Sequence, residues 1–298
     1  MISVHKSVLL NETIDGLNLP VKPTVIDGTF GGGGHSLEIC KRFPGARIIA
    51  IDKDKTAWER AMSKFTNLNC QINFHNADFK DLEEILNKEG VGEVDGIILD
   101  LGLSSDQLEN AGRGFSFQNN EPLLMTMKDN PTEEDLTAKD IVNGWSEESL
   151  ADIIYGYGEE RFSRRIAKGI VEKRKIKPIE TTGELVKIIE GSVPRVYRRG
   201  RLHYATRTFQ ALRIAVNDEL RGLESGLANG YNFLKKDRRM AVISFHSLED
   251  RIVKKFFKDK SKNKEVILIN KKPIITGSQE LKENPRSRSA KLRLMEKI

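Results

Sequence analysis

Thr24-Val-Ile-Asp-Gly-Thr-Phe-Gly-Gly-Gly-Gly-His-Ser36 decides how the chain is read. Apolar or β-branched residues run into Asp27, glycines follow at Gly31 to Gly34, and an apolar-periodic segment (Leu37, Ile39, Cys40, Phe43) begins. That order is strand, tight turn, helix. Glycine permits positive φ and a close backbone approach to a ligand that any Cβ would obstruct. The turn is therefore expected to hold a small molecule against the first helix of an α/β domain.

Two familiar phosphate loops fail here. A P-loop needs Lys and then Ser or Thr after its last glycine, where this chain has Gly34 and His35. A dinucleotide fingerprint needs a third glycine where Ser36 stands. A second strand, Ala46-Arg-Ile-Ile-Ala-Ile51, ends in Asp52, at the distance where an acid grips a ribose. Glycines and a ribose acid without the full fingerprint fit an adenosine ligand lacking a pyrophosphate, S-adenosylmethionine foremost. The plain alternative is a glycine turn in an ordinary α/β unit.

Working outward, residues 5–17 have helical spacing, and Pro20 and Pro23 end it. After Asp52 the chain alternates in the manner of a doubly wound sheet. Strands are expected at Gln71–His75 and Val94–Leu99, so that Asp27, Asp52, Asp78 and Asp100 stand at or just beyond four strand ends. In an open parallel sheet that rim is the ligand crevice. From 109 to 205 the pattern is helical throughout, with a capping box at Thr181-x-x-Glu184. One helical pattern from Thr206 to Glu224 then returns the chain to the first domain. Met240–Phe245 is a further strand, and Glu265–Ile269 with Lys291–Met295 an edge pair. The fold class expected is α/β, a Rossmann-like sheet of residues 1–108 and 206–298 with an all-helical insert at 109–205.

The insert carries two basic clusters. Arg161, Arg164, Arg165, Lys168, Lys173, Arg174, Lys175 and Lys177 read equally well as a solvated helix face. Arg195, Arg198, Arg199, Arg201, His203 and Arg207 have Tyr197 and Tyr204 between them. Arginine forks bind phosphates and tyrosines stack on bases, which favours RNA. The formal net charge of +6 and a pI near 9.1 allow a polyanion partner. Two cysteines, Cys40 and Cys70, without CxxC spacing are expected as buried reduced thiols, with no zinc site. No apolar run reaches membrane-spanning length and no signal-peptide pattern opens the chain, so a soluble cytoplasmic protein is expected.

Seven segments together resemble the RsmH (MraW) family. They are Asp27–Ser36, Asp100-Leu-Gly-Leu-Ser-Ser105, Arg113-Gly-Phe-Ser-Phe117, Gly158-Glu-Glu-Arg-Phe162, Ala205-Thr-Arg-Thr-Phe-Gln-Ala-Leu-Arg213, Ile243-Ser-Phe-His-Ser-Leu-Glu-Asp250 and Asn284-Pro-Arg-Ser-Arg-Ser289. The resemblance implies a class I methyltransferase that uses S-adenosylmethionine, gives S-adenosylhomocysteine, and modifies N4 of a cytidine in the decoding region of small-subunit ribosomal RNA. It also implies cofactor contacts at Gly33, Gly34, His35, Asp52, Phe79, Asp100 and Gln107. The substrate expected is an assembled or nearly assembled small-subunit particle, with a homodimer left open. Lys6-Ser7, Met125-Thr-Met-Lys-Asp129 and Tyr204 depart from the family pattern.

Amino-methyltransferases place a polar residue, two prolines and an aromatic at the end of the fourth strand. Asp100 supplies the polar head, but Leu101-Gly102-Leu103 replaces the rest. Asp100 and His246 are thus the candidate catalytic residues, the plain alternative for Asp100 being a cap or a cofactor contact. His246 or the Asn284–Ser289 loop is left to clamp the base. Arg195, Arg198, Arg199, Arg201, Arg207, Arg286 and Arg288 are the expected RNA contacts. A non-catalytic ribosome-assembly factor and a nicotinamide-linked oxidoreductase are the competing readings. The acid-lined rim counts against the first and Ser36 against the second.

Overall fold

The computed structural model describes residues 7–103, 107–108, 112–129 and 131–298, with Ala57 described by its backbone alone. His5 and Lys6 of the expected lead-in helix, and Ser104 and Ser105 of the Asp100 motif, lie outside the described residues. Two compact units divide the chain: Met1–Gly102 with Leu220–Ile298, and Leu103–Glu219. The sequence reading set these divisions after 108 and before 206.

The first unit holds a seven-stranded sheet. Its strands are β1 (Thr24–Asp27), β2 (Ala46–Asp52), β3 (Cys70–Asn76), β4 (Val94–Asp100), β5 (Leu234–Ser244), β6 (Val266–Leu268) and β7 (Lys291–Lys297), in the order β3-β2-β1-β4-β5-β7-β6. β1 to β5 run parallel, and β7 lies antiparallel between β5 and β6. The chain reverses its direction of winding between β1 and β4, so their carboxyl ends flank the switch point where open α/β sheets take ligands.

Short helices α1 (Leu10–Leu17), α2 (Gly34–Arg42), α3 (Lys55–Ala61) and α4 (Leu82–Lys88) alternate with the first strands. Alternate strand residues feed opposite faces, as a period of two requires. Ile26, Ile49, Ile51, Ile97, Leu99 and Val242 join Leu82 and Leu86 of α4 on one side. Val25, Ile48, Ala50, Ile98 and Ile243 join Ile14 and Leu17 of α1 and Ile39 of α2 on the other.

The second unit is helical: α5 (Ala138–Gly144), α6 (Glu147–Gly156), α7 (Ser163–Arg174), α8 (Thr182–Ser192), α9 (Arg195–Arg198) and α10 (Thr206–Asn217). α8 begins with the expected capping box, in which Thr181 Oγ1 accepts from Glu184 N and the Glu184 carboxylate accepts from Thr181 N. Ile141, Leu150, Ile154, Ile166, Ile170, Leu185 and Ile189 form its core. Phe209 and Leu212 of α10 join that core, and Leu103 and Leu108 pack against it. These contacts are why the divisions fall at 102 and 219.

α11 (Glu219–Phe233), α12 (Ser247–Lys262) and α13 (Ser278–Glu283) follow in the sheet unit. The single helical pattern read over Thr206–Glu224 is in fact two helices, broken where Asp218 takes φ 48°. Periodicity runs on across such a break because a one-residue turn leaves the apolar spacing nearly intact. The cysteines also differ from expectation. Cys40, near the end of α2, and Cys70, which opens β3, form a disulfide with Cα atoms 5.5 Å apart. Thirty residues separate them in sequence, so their spacing gave no sign that α2 lies over the start of β3. No helix among the described residues is long and apolar enough to cross a membrane.

Candidate active site

The glycine turn is anchored at both ends by side chains. Asp27, the last residue of β1, is buried, and Ser36 Oγ on α2 donates to its Oδ2 at 2.6 Å. Ser36 thus stands where a dinucleotide fingerprint has glycine and ties strand to helix. Burial, with a smaller push from Asp52, raises the Asp27 carboxyl to about 6. Thr29 Oγ1 accepts from Asp100 N at 2.6 Å, joining the turn to β4. Ser36 was read from the sequence only as a missing glycine and Thr29 was not singled out; their fixed places within the Asp27–Ser36 motif were the available signal.

Gly31 and Gly33 take φ of 50° and 70°. A Cβ on Gly33 would meet Phe30 Cζ and Phe65 Cζ, so this glycine serves close packing of the turn on its own aromatic floor. In that floor Phe30 lies 5.4 Å from Trp58, 6.0 Å from Phe65 and 5.9 Å from Phe74 between ring centroids. A Cβ on Gly34 would collide with the Ser7 hydroxyl.

Asp52 closes β2 and reaches back to the turn. Its Oδ2 accepts from Gly31 N at 2.6 Å and its Oδ1 from Asp54 N at 2.9 Å. Burial raises it to about 6 against the lowering effect of those two amides. Asp78, just past β3, accepts from Lys80 N at 3.1 Å and pairs with Lys53 Nζ at 2.8 Å. It acts as a cap held by an ion pair. Phe79 packs against the core beside Leu82 and Leu99, and α11 approaches it at Gly226, where a Cβ would strike the ring.

Asp100 ends β4 with Oδ1 buried and without a hydrogen-bond partner among the described residues. Its Oδ2 lies 3.7 Å from His35 Nδ1. His35 is buried and its Nε2 is 3.2 Å from Val8 O. A carbonyl only accepts, so Nε2 carries a proton and a neutral ring presents Nδ1 as acceptor toward Asp100. Burial first, then the charges of Asp27 and Glu249, push the Asp100 carboxyl well above the usual carboxylate range.

His246 follows β5 as the N-cap of α12. Its Nδ1 accepts from Glu249 N at 3.4 Å, and Glu249 Oε2 accepts from Phe245 N at 2.8 Å and His246 N at 3.2 Å. Its Nε2 is 3.2 Å from Glu249 Oε1. Nδ1 is thus committed to the strand-to-helix junction, while the buried Nε2 makes no hydrogen bond among the described residues. The buried Glu249 had not been singled out, although His246-x-x-Glu249 has the spacing of a capping box.

The remaining expected contacts are placed elsewhere. Gln107 is buried and belongs to the helical unit. In that unit Arg198 pairs with Glu190 at 3.3 Å and Arg207 Nη1 donates to Glu159 O at 3.0 Å. Arg195, Arg199 and Arg201 are exposed. His203 stacks between Phe117, at 4.4 Å, and Tyr204, at 4.1 Å. Of the first basic cluster, Arg174 donates to Val142 O and Trp145 O, a structural use of its fork. Arg286 and Arg288 are exposed on the turn Pro285–Ser289 of the sheet unit.

The site thus gathers Asp27, His35, Asp52 and Asp100 around one end of the sheet. Residues 2–298 match the profile of the MraW methylase family. A protein of Brevibacillus brevis described as ribosomal RNA small subunit methyltransferase H is 43% identical over 310 residues, covering 99% of this chain and 98% of its own. One of Clostridium botulinum (strain Kyoto / Type A2) with the same description is 46% identical over 310 residues, covering 99% of each chain. A solved structure of an rRNA methylase from Streptococcus thermophilus aligns over 100% of this chain and 99% of its own, at 9% identity and a TM-score of 0.43, too remote to carry an argument. The chain belongs to the MraW methylase family, and its methyl donor is S-adenosylmethionine.

Proposed function

We propose that this methylase transfers a methyl group to the exocyclic N4 amine of a cytidine in the decoding region of small-subunit ribosomal RNA, a substrate met in the cytoplasm. One observation carries the reading: Asp100, at the switch point of the sheet, keeps Oδ1 buried and unpartnered among the described residues. A buried polar atom left unsatisfied costs roughly 1–3 kcal/mol, which a substrate N–H restores. The RNA class rests on relatives described as small-subunit methyltransferases. An assembly factor without catalysis has no use for such a carboxyl group.

S-adenosylmethionine, when bound, supplies an electrophilic methyl group on a sulfonium sulfur. We assign its hold to Gly33, Gly34, His35, Asp52, Phe79, Asp100 and Gln107. A carboxylate has about four acceptor sites, so Asp52 can accept from ribose hydroxyls beside the amides of Gly31 and Asp54. The lone pair of a cytosine amine is delocalised into the ring, which makes the amine a poor nucleophile. Asp100 accepts a hydrogen bond from it, turns the lone pair toward the methyl group, and would take the proton shed as the C–N bond forms and the methyl carbon–sulfur bond breaks, its electrons staying on sulfur as a thioether. Arg195, Arg199 and Arg201 hold phosphates.

The test is incubation with small-subunit particles and labelled S-adenosylmethionine, followed by nuclease digestion and mass spectrometry. N4-methylcytidine at a single site is expected. Label on another base or atom removes the N4 assignment, and no label on RNA removes the function.

A further inference from the structure

Two of the buried side-chain atoms that lack a hydrogen bond among the described residues stand at the carboxyl ends of neighbouring strands. One is Asp100 Oδ1, on the last residue of β4. The other is His246 Nε2, two residues past β5. The strands run parallel with Asp100 opposite Ile243, so His246 follows three residues beyond the partner of Asp100. Paired strands lie about 4.8 Å apart, which puts both residues on the same stretch of the rim. Glu249 links them. Its Oε1 lies 3.2 Å from His246 Nε2, off the direction in which the ring N–H points, and its charge is felt at Asp100.

The two unpaired atoms are of opposite kind. Glu249 N donates to His246 Nδ1, so the proton of the neutral imidazole is on Nε2 and that atom is a donor. Asp100 Oδ1 is an acceptor. Cytosine presents the matching order, an acceptor at ring N3 beside a donor at the N4 amine. Uracil presents the reverse, an N3–H beside the O4 acceptor, and meets like with like. Unstacked bases are commonly read through hydrogen bonds on this edge. The pair does not separate cytosine from adenine, whose N1 and N6 offer the same order. A helix cap alone does not explain the histidine. Capping uses only Nδ1, and Asn or Ser is the preferred residue for it.

We propose that His246 is a specificity-determining residue, its Nε2–H donating to N3 of the target cytosine while Asp100 Oδ1 accepts from the N4 amine. The inference rests on the reading of the reaction as cytidine N4 methylation, and it names the group that recognises the base. A bond to N3 stops the ring from turning in its plane, so the amine meets the methyl group along one line.

The test compares small-subunit particles carrying cytidine at the methylated position with particles carrying 3-deazacytidine, in which C–H replaces N3 and the amine remains. kcat/KM for methyl transfer is measured with wild type, His246→Asn and His246→Gln. Asparagine keeps a preferred cap without the reach of Nε2, whereas glutamine brings an amide N–H near the place of Nε2 and gives up the cap. The preference for cytidine should be about 10- to 100-fold greater in wild type than in His246→Asn, the scale of one hydrogen bond to a buried group. Comparing preferences cancels the altered reactivity of the deaza amine. His246→Gln should keep most of the preference at a lower melting temperature, and S-adenosylmethionine affinity should hold in both variants. Equal preferences in wild type and His246→Asn overturn the proposal, as does a preference kept by asparagine and lost by glutamine, the pattern of a cap. Equal wild-type kcat/KM on the two particles overturns it whatever the variants do. In each case N4-methylcytidine on the cytidine particle leaves the function standing. A wild type that makes no N4-methylcytidine removes that reading itself, and the contact with it.

Discussion

Asp100 reaches the end of β4 with a carboxyl group that burial, Asp27 and Glu249 all bias toward its protonated form. If it must take a proton from the amine, the transfer rate rises with pH through its raised pKa. Asp100→Ala should cut transfer by roughly 10²–10⁴, the scale of a positioned acid–base group, and part of the loss should persist at saturating S-adenosylmethionine. In Asp100→Asn the pH-dependent limb should vanish; full recovery at high cofactor would leave Asp100 a cofactor contact alone. Asp27 offers a second test. Its folded pKa of about 6 stands above the 3.8 of an unperturbed aspartate, so its stabilising share is complete below about pH 4 and is lost as pH rises through 6. At ~1.4 kcal/mol per pH unit that loss is about 3 kcal/mol at most. Asp27→Asn keeps an acceptor for Ser36 and should be more stable than wild type at pH 7.5, yet not at pH 4, in urea unfolding of the ligand-free protein. Parallel pH profiles would remove the assigned strain.

At the scale of elements, the glycine turn is held from three sides: Ser36 on Asp27, Asp52 on Gly31 N, and the aromatic floor beneath Phe30. The disulfide between Cys40 and Cys70 adds a fourth hold, pinning α2, which the turn opens, to β3. Closing a loop across a sequence separation of 30 removes unfolded-state entropy worth about 3–4 kcal/mol in the chain-entropy model. Dithiothreitol should therefore lower the melting temperature of wild type and leave Cys40→Ser/Cys70→Ser unchanged. An identical melt with and without reductant would show that the bond adds nothing to stability. The capping box of α8 was legible because Thr181 and Glu184 are neighbours whose chemistry is local. That of α12 was less so, since a histidine cap has no comparably strong sequence preference.

Over the whole molecule, the arginines of the helical unit divide by their partners. Arg198 and Arg207 are engaged by Glu190 and the Glu159 carbonyl, whereas Arg195, Arg199 and Arg201 are exposed. Neutralising the latter three together should weaken RNA binding and make its salt slope shallower by roughly 2–3. Neutralising Arg198 and Arg207 should mainly lower stability, with little change in slope. Anisotropy titrations over a salt series, paired with thermal melts, check both; equal slopes for the two variants would sink the division.

The alternation of strand and helix, the acids at the strand ends and the helical stretch between them were determined by the sequence itself, since each follows from periodicity and turn chemistry within a few residues. What only the tertiary structure decided concerns residues far apart along the chain. Asp100 is one of four similar acids in sequence, and it differs because β4 carries it beside His35 and near Asp27 and Glu249. That a side chain at Gly33 would strike Phe30 and Phe65 follows from rings that only the fold brings beneath the turn. The cysteines read as separate thiols until α2 brought them together. Burial, pairing and charge coupling act through space, and a one-dimensional pattern records only which groups are available to meet.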